Sequence, residues 1–388
     1  MTINTMTITG DWLHAPSLTA VFQAFEAVGQ PVYLVGGAVR DAVRGTPVGD
    51  LDLATPATPD EVQTLAEAAA LRVVPTGLEH GTLTLVSGGV GHEVTSFRRD
   101  EETFGRHARV AFTREMVEDA RRRDFTMNAL YAGADGVVVD PLGGLPDALA
   151  GRVRFIEDAG QRIVEDYLRI LRFFRFSAWY GAEGIDADGL AACAAHHDGL
   201  AGIARERIGV EFSKLLAAPD PAPAVAAMRA ANVLRQCLPG ADDRGLAPLV
   251  HLEGLFNVAP DPLRRLAALG GADVADHLRL SRSDAARLKL LRQGAEAPDG
   301  PAALGYHHGA DAAWDMMILR AALLEGNVPK NAGIEIAKGA AAQFPVAAAD
   351  LLPALTGPAL GARLKALEAL WIASGFTLTH AQLLEERP

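Results

Sequence analysis

The alternation of hydrophobic and polar positions divides the chain into a mixed first part and a helical second part. An apolar run at residues 32–35 predicts a short buried strand, with helices on either side at 18–28 and 38–44. Further strands are predicted where apolar and polar residues alternate between Gly-bearing turns, at residues 72–74, 82–86 and 93–97. From Leu145 onward the strand signals fade, and Ala- and Leu-rich segments predict one helix after another.

One helix start is marked clearly by its residues. Thr58 is a preferred N-cap residue, Pro59 suits the first helical position, and Glu61 completes a capping box, so a helix is predicted from here to about residue 70. Pro- and Gly-bearing breaks separate the later helical segments. We therefore predict an α/β unit at residues 12–145, followed by all-α segments at 146–216 and 217–388.

Two glycines and two aspartates near the first strand suggest a nucleotide site. Gly36 and Gly37 follow that strand, where a backbone without Cβ and the N–H groups of the next helix favour phosphate. Asp50 and Asp52 stand two residues apart on a second predicted strand, so they share a face. Paired carboxylates repel unless a cation lies between them, and oxygen ligands suit Mg²⁺. Together the two features predict Mg²⁺-dependent chemistry on a nucleotide.

Each of these features also has a simpler interpretation. A Gly-Gly corner alone is usually a turn, and an Asp-x-Asp pair alone is usually a solvated strand edge. The run lacks the G-x-G-x-x-G spacing of a dinucleotide fold, which argues against that fold. Glu93, on a strand beside the Asp pair, is either a third metal ligand or a surface residue of an edge strand.

Composition narrows the class of protein. The 388 residues are 49% hydrophobic and 22% charged, as in a globular protein of two or three domains. The net charge of −12 argues mildly against a nucleic-acid partner, although local basic patches decide that question. Two cysteines, and apolar runs well short of about 18 residues, predict a cytoplasmic protein without membrane contact. We expect a monomer.

Residues 98–123 are rich in arginine, and interleaved acidic residues, including Asp119, dilute this charge. Within this segment residues 106–109 lack periodicity and predict a loop. Residues 122–130 then place Arg123, Asp124 and Asn128 at the start of an otherwise apolar predicted helix. Buried charges need partners, and a nucleotide would supply them, with its ribose against Asp124 and its phosphates against Arg122 and Arg123. The alternative is a structural Arg–Asp pair.

A second charged cluster begins a later helix, predicted to run through residues 165–176. Helical spacing puts Asp166 and Arg169 on one face, where they form either a local ion pair or a template for a base. Asp166 as acceptor and Arg169 as donor would complement the amino group and ring nitrogen of cytosine and adenine. Uracil and guanine present the reverse order and would be rejected. Glu165 is placed to brace Arg169.

These motifs, in this order, resemble those of class II tRNA nucleotidyltransferases, the family of bacterial CCA-adding enzymes and poly(A) polymerases. The matching segments are residues 36–41, Asp50 with Asp52, residues 122–129, residues 165–169 and a helix that begins at Glu206. The resemblance implies a DNA polymerase β-like nucleotidyltransferase head at 12–145. It also implies a helical neck with the base-selecting helix at 146–216, and a tRNA-binding body and tail at 217–388.

The same resemblance implies template-independent transfer of CMP and AMP from CTP and ATP to the 3′ end of tRNA, by a two-metal mechanism. It makes Asp50 and Asp52 the catalytic Mg²⁺ ligands. The residues expected to bind the nucleotide are Gly36, Gly37, Arg40, Arg123, Asp124, Asn128, Asp166, Arg169 and Arg172. The candidate contacts for the tRNA backbone are Arg264, Arg265, Arg287, Lys289 and Arg292.

Several related activities remain open from the sequence. A poly(A) polymerase would share every motif, and an enzyme that adds only CC or only A would share most of them. Relatives that add only CC tend to carry a deletion in the segment that corresponds to residues 99–121. This segment is not shortened here, which favours complete CCA addition. A non-enzymatic alternative is an RNA-binding protein with an inactive head. His196 and His197 suggest a metal phosphohydrolase motif, but we interpret them as a helix end.

Overall fold

The structure is a computed structural model that describes residues 6–78, 81–104 and 107–385. It divides into two compact units, Met1–Cys237 and Leu238–Pro388. The first unit contains a mixed sheet and helices, and the second is helical, so the predicted class of an α/β head followed by all-α segments is confirmed. None of the described helices is long and apolar enough to cross a membrane.

Nine described strands belong to the first unit: β1 (Tyr33–Val35), β2 (Leu53–Thr55), β3 (Arg72–Gly77), β4 (Thr82–Ser87), β5 (Val90–Ser96), β6 (Arg98–Phe104), β7 (His107–Phe112), β8 (Tyr131–Ala132) and β9 (Val138–Val139). Seven of them form a sheet in the order β3-β4-β5-β2-β1-β8-β9, and β6 pairs with β7 as a hairpin. In the sheet β2 and β5 run parallel, with Leu53 opposite Val94. This pair brings the residues that precede Leu53 and Val94 side by side.

Helices of the first unit cover the sheet and continue beyond it. They are α1 (Pro16–Glu26), α2 (Gly37–Val43), α3 (Pro59–Ala68), α4 (Met116–Arg121), α5 (Leu145–Ala150), α6 (Ala159–Glu165), α7 (Leu168–Tyr180), α8 (Ala187–His196), α9 (Arg205–Leu216), α10 (Ala222–Ala230) and α11 (Val233–Cys237). The capping box is confirmed: Thr58 accepts a hydrogen bond from the Glu61 N–H, and Glu61 accepts one from the Thr58 N–H at 2.7 Å. Helix α8 ends at His196, as predicted.

An aromatic layer joins the end of the sheet region to helix α7. Phe125 packs on Phe155 and on Phe176, with ring centroids 5.0 Å apart in both pairs. Phe155 stacks on Phe173 at 5.4 Å. All four side chains are buried. Because burial of a large aromatic side chain is worth several kcal/mol, roughly 2–3 by transfer free energy, this layer fixes the segment around Asp124 against α7.

The second unit is made of α12 (Leu246–Leu255), α13 (Pro262–Leu269), α14 (Val274–His277), α15 (Arg282–Glu296), α16 (Pro301–His308), α17 (Ala310–Leu323), α18 (Ala332–Ala341), α19 (Gly357–Ala373) and α20 (His380–Glu385). Its C-terminal part packs around Trp371, which lies edge-on to Tyr306 and Phe376.

Cys193 and Cys237, both in the first unit, are buried free thiols.

Two predicted local structures in the head are wrong. Strand β2 begins at Leu53, because its pairing with β1 and β5 starts there, so Asp50 and Asp52 lie in the segment that leads into the strand. Residues 122–130 do not form the predicted α-helix. The Thr126 N–H donates to the Arg154 carbonyl, and the Asp124 carbonyl accepts from the Ile156 N–H, so the backbone pairs with a distant segment instead. A short 3₁₀ turn, Thr126–Asn128, follows.

The helix predicted through residues 165–176 is interrupted. Asp166 is extended (φ −150°), so α6 ends at Glu165 and α7 begins at Leu168. The Asp166 carboxylate accepts from the Leu168 N–H at 3.1 Å, which is how short acidic side chains start a helix. In the segment predicted as a loop, residue 106 lies outside the described residues, and residues 107–109 belong to β7.

Candidate active site

One cleft of about 800 Å³ in the first unit gathers the residues predicted to bind the nucleotide. Its walls come from the β1–α2 corner, the start of β2, β5, the segment after α4, and helices α7 and α9. The predicted residues that line it are Gly36, Gly37, Arg40, Asp50, Asp52, Glu93, Arg123, Asp124, Asn128, Asp166, Arg169 and Arg172. Residues from separate stretches of sequence therefore meet at one surface.

The glycine corner has the geometry that requires glycine. Gly36 adopts φ +67°, ψ −120°, a backbone conformation that residues with a Cβ rarely take, and it precedes the first turn of α2. Its N–H donates to the Leu130 carbonyl at 3.2 Å. A Cβ on Gly36 would lie 3.6 Å from Nη1 of Arg123. The corner thus stays open toward the cleft and has an arginine beside it.

Three carboxylates stand together near the start of β2 and along β5. The register that pairs Leu53 with Val94 sets the preceding residues, Asp52 and Glu93, next to each other. Although Asp52 is reached by water, desolvation in the cleft raises its pKa, and the negative charges of Glu93 and Asp50 raise it further, against an opposing effect of Arg123. A bound cation would relieve this repulsion.

The donor set fits a metal that shares its ligands with a substrate. Among the described residues, no group of three or more His, Cys, Asp or Glu side chains is arranged to hold a metal ion alone. Hard divalent ions such as Mg²⁺ are commonly held by one or two carboxylates together with phosphate oxygens and water. Asp50 and Asp52 at the cleft wall match that mode of binding.

Arg123 is held from two sides. Its Nη2 donates to Asp119 at 2.9 Å, and its Nε donates to the Tyr131 hydroxyl at 3.2 Å. Asp119 is 1% exposed and also accepts from Arg122 Nε at 2.8 Å and from the Tyr131 hydroxyl at 2.7 Å. Burial alone would raise the pKa of Asp119, but Arg123, Arg122 and Tyr131 outweigh it and lower the pKa to about 2.

A chain of hydrogen bonds runs along the cleft floor from α2 to α7. Arg40 donates to the Asn128 side-chain oxygen at 2.7 Å, and Asn128 donates to Asp124 at 2.9 Å. Asp124 in turn accepts from Nε and Nη2 of Arg172, at 2.7 and 2.5 Å. Burial works to raise the pKa of Asp124, but Arg172 and Asn128 outweigh it and lower the pKa. Arg172 also faces Glu211 of α9 at 3.8 Å.

These partners change how Asp124 and Arg40 are interpreted. Asp124 already accepts four hydrogen bonds, including one from the Phe125 N–H, which favours the structural ion pair over a dedicated ribose contact. Arg40 is 5% exposed, pairs with Asp41 at 2.8 Å and lies over the Tyr180 ring at 4.0 Å. Both residues line the cleft, and both also hold its walls together.

The predicted base-selecting residues take part in separate ion pairs. Asp166 accepts from Arg207 of α9 at 2.8 Å, whereas Arg169 donates to Glu165 at 2.5 Å and to the Arg122 carbonyl at 3.0 Å. The predicted contact between Glu165 and Arg169 is therefore present. Both Asp166 and Arg169 line the same cleft as the Asp50–Asp52 pair.

Sequence reasoning missed several residues of the cleft. The additional lining residues with charged or aromatic side chains are Arg98, Arg175, Phe176 and Arg207, and Arg122, which was expected against the phosphates, lines the cleft too. Arg175 faces Glu211 at 2.6 Å, on the neighbouring helix α9. The spacing of Arg169, Arg172 and Arg175 at three-residue intervals on α7 was the available signal, because residues three apart share a helix face.

Most of the predicted tRNA contacts in the second unit are engaged elsewhere. Arg264 and Arg265 are 2% and 1% exposed and pair with Glu253 at 2.7 Å each. Arg287 bridges Asp261 and Asp315, at 2.7 and 2.9 Å. The prediction is wrong for Arg264 and Arg265, because buried arginines paired with carboxylates are not available to a phosphate in solution.

Two stretches of the chain match known protein families. Residues 32–154 match the poly A polymerase head domain, and residues 184–244 match a domain described as the probable RNA and SrmB-binding site of polymerase A. In these two stretches the chain resembles the family of CCA-adding tRNA nucleotidyltransferases and poly(A) polymerases. Enzymes of this family generally use divalent metals.

Individual relatives are named as CCA-adding enzymes or as CCA tRNA nucleotidyltransferases. The chain is 41% identical over 210 residues to CCA tRNA nucleotidyltransferase 1, mitochondrial, of Mus musculus, covering 53% of this chain and 48% of the relative. It is 38% identical over 226 residues to the CCA-adding enzyme of Levilactobacillus brevis, covering 58% and 56%. The matches thus span about half the length of these relatives.

Solved structures extend the likeness over nearly the whole chain. A CCA-adding enzyme of Bacillus stearothermophilus in complex with CTP aligns with TM-score 0.67 and 26% identity, covering 91% of both chains. An apo form of a CCA-adding enzyme aligns with TM-score 0.74 over 98% of this chain and 96% of the other, at 20% identity. The second likeness shows the fold alone.

Proposed function

We propose that the chain adds CMP and then AMP, from CTP and ATP, to the 3′ end of tRNA without a nucleic-acid template. One observation carries the proposal: a single cleft combines the Gly36–Gly37 corner, the carboxylates Asp50 and Asp52, and the pair Asp166 and Arg169. The related CCA-adding enzymes, one of them solved with CTP, support the choice of substrates.

The reaction joins the terminal 3′-oxygen of tRNA to the α-phosphorus of the nucleotide, and the bond from that phosphorus to pyrophosphate breaks. In this proposal Asp50 and Asp52 would hold Mg²⁺ together with phosphate oxygens of the nucleotide, and Glu93 stands beside them. Bound Mg²⁺ would activate the hydroxyl and stabilise the departing charge. Gly36 and Gly37 leave room for the triphosphate, and Nη1 of Arg123, beside Gly36, donates to it.

Base selection is proposed for Asp166 and Arg169. The Asp166 carboxylate accepts from the Leu168 N–H at one oxygen and from Arg207 at the other, and each oxygen has a second lone pair that can accept from an amino group of cytosine or adenine. Arg169, braced by Glu165, supplies the donor side. Uracil and guanine would set carbonyl against carboxylate and N–H against guanidinium, and such a mismatch is strongly rejected.

The helical parts are proposed to bind the tRNA. We assign the catalytic head to residues 12–145, the neck to 146–216 and the tRNA-binding body and tail to 217–388. A groove of about 710 Å³ in the second unit is lined by Lys289 and Arg292. The Arg292 guanidinium donates to the carbonyls of Gly270 and Gly271, and within the described part of the chain its buried Nε has no hydrogen-bond partner. An RNA phosphate there would compensate its charge.

We also propose a cytoplasmic monomer. The buried free thiols of Cys193 and Cys237 are consistent with a reducing compartment, where disulfides are rare.

The test is incorporation of each labelled nucleotide into tRNA that lacks CCA, with and without Mg²⁺, read as product length on a sequencing gel. We expect CTP alone to add two residues, CTP with ATP to add three, and UTP or GTP to add none; chelation should abolish all addition. Long A tracts would identify a poly(A) polymerase, and arrest after CC would identify a CC-adding enzyme. Binding of tRNA without any incorporation would identify an inactive head.

A further inference from the structure

A single buried carboxylate, Asp119 of α4, organises one side of the cleft although it does not line the cleft itself. It accepts hydrogen bonds from Arg122, Arg123 and the Tyr131 hydroxyl, at 2.7 to 2.9 Å. Its Oδ1 also faces the backbone N–H of Arg98 at 3.4 Å, where the β6–β7 hairpin begins. Arg98, Arg122 and Arg123 all line the cleft. One carboxylate therefore fixes three contributors to one wall.

The effect on Arg123 is directional. Nη2 is bound to Asp119, and Nε is bound to Tyr131, whose hydroxyl is itself bound to Asp119. The guanidinium is planar, so fixing two of its nitrogens fixes the third. That third nitrogen, Nη1, lies 3.6 Å from the position a Cβ on Gly36 would occupy. The Asp119–Tyr131 pair thus turns the remaining N–H groups of Arg123 toward the glycine corner.

We propose that Asp119 is a positioning residue for the triphosphate of the incoming nucleotide and acts through Arg123. The inference rests on the proposed function, because it takes the ligand at the glycine corner to be a nucleoside triphosphate. An arginine held in place loses less side-chain entropy when it grips a phosphate than a mobile one does. Removing the Asp119 charge should therefore weaken triphosphate binding, although Asp119 itself does not contact the ligand.

The test compares Asp119→Asn with Asp147→Asn in steady-state CMP addition. Asp147 is a matched control, because it is also 1% exposed and binds Arg152, Arg154 and Thr126, none of which lines the cleft. We expect Asp119→Asn to raise the KM for CTP and the inhibition constant of pyrophosphate about tenfold, the loss of one charge-assisted hydrogen bond. Asp147→Asn should leave both constants within about twofold, even where it lowers the melting temperature.

A double-mutant cycle with Arg123→Gln separates positioning from general damage. If Asp119 acts through Arg123, the double variant should match Arg123→Gln in its KM for CTP within about twofold. The inference would be overturned if the KM of the double variant rose by the product of the two single effects. Equal KM values for Asp119→Asn and Asp147→Asn would overturn it as well. Calorimetric titration of CTP gives the same comparison without turnover. Absence of incorporation by the wild-type chain would therefore count against the proposed function, and equal CTP affinity of the variants would count against the role of Asp119.

Discussion

Asp119 and Asp52 show how surroundings set the charge of two carboxyls in the same unit. Asp119 lies among cationic and hydroxyl donors, which lower its pKa to about 2 despite burial. Asp52 is desolvated in the cleft and faces Glu93 and Asp50, and these effects raise its pKa. Asp119 therefore stabilises the folded chain as an anion, whereas the carboxylates around Asp52 are left with a charge that a cation would balance.

The low pKa of Asp119 predicts a loss of stability in acid. Its folded pKa lies below the unfolded value near 4, so its contribution is present above about pH 4 and is lost as the pH falls toward 2. The difference of nearly two units corresponds to about 2 kcal/mol. Urea denaturation measures the free energy of unfolding of wild type and of Asp119→Asn. The difference between the two should fall by about 2 kcal/mol as the pH is lowered from about 4 to about 2. A difference that stays constant with pH would contradict the assigned pKa.

At the same scale, sequence reasoning identified most of the cleft. The residues selected at Gly36, Asp50, Asp124 and Asp166 were found because short motifs carry their chemistry, although the local backbone was predicted correctly only at Gly36. The role of Asp119 could not be predicted, because it depends on Tyr131 and Arg98, which reach it only through the tertiary fold. From the sequence alone, Asp119 is one acidic residue among several in an arginine-rich segment.

Among the elements, helix α3 was the most predictable because its start signals are local. Thr58, Pro59 and Glu61 fall at the N-cap, N1 and N3 positions, as predicted. The break at Asp166 was not predicted, because an apolar period continues across it and only the side-chain hydrogen bond to Leu168 reveals it. The segment after Arg122 was not predicted either, because its backbone partners lie about thirty residues away, at residues 154–156.

The capping box yields a prediction for α3. Thr58→Ala should lower the free energy of unfolding by about 1 kcal/mol, because the Glu61 N–H loses its acceptor. Thr64→Ala is the control, since Thr64 is exposed on the same helix and its hydroxyl donates to the Asp60 carbonyl. Chemical denaturation should show no loss for Thr64→Ala. Equal losses for both variants would argue against the cap as the cause.

Over the whole molecule, the acidic total and the proposed RNA partner are reconciled by local charge. The net charge is −12, yet the cleft of the first unit and the groove of the second unit each present several arginines. Contacts with phosphates release bound counterions. The logarithm of the tRNA association constant should therefore fall linearly with the logarithm of the salt concentration.

Neutralising the groove should reduce that salt dependence. Replacement of Lys289 and Arg292 by Gln should lower tRNA affinity and reduce the slope by about one to two, because each phosphate that a cation neutralises contributes roughly 0.7–0.9 to it. Lys330→Gln is the control for a change of charge, because Lys330 is exposed and does not line the groove. Filter binding across a salt series would measure both quantities. An unchanged slope in the double variant would exclude the groove from the tRNA interface.

The central claim is that protein side chains, with no template strand, choose the base. The most direct measurement is the ratio of kcat/KM for CTP to that for UTP, compared between wild type and Asp166→Ala on tRNA lacking CCA. We expect a wild-type ratio of about 10⁴ or more, and a fall of at least about a hundredfold when Asp166 no longer accepts from the amino group of cytosine. A ratio that Asp166→Ala leaves unchanged would contradict the account.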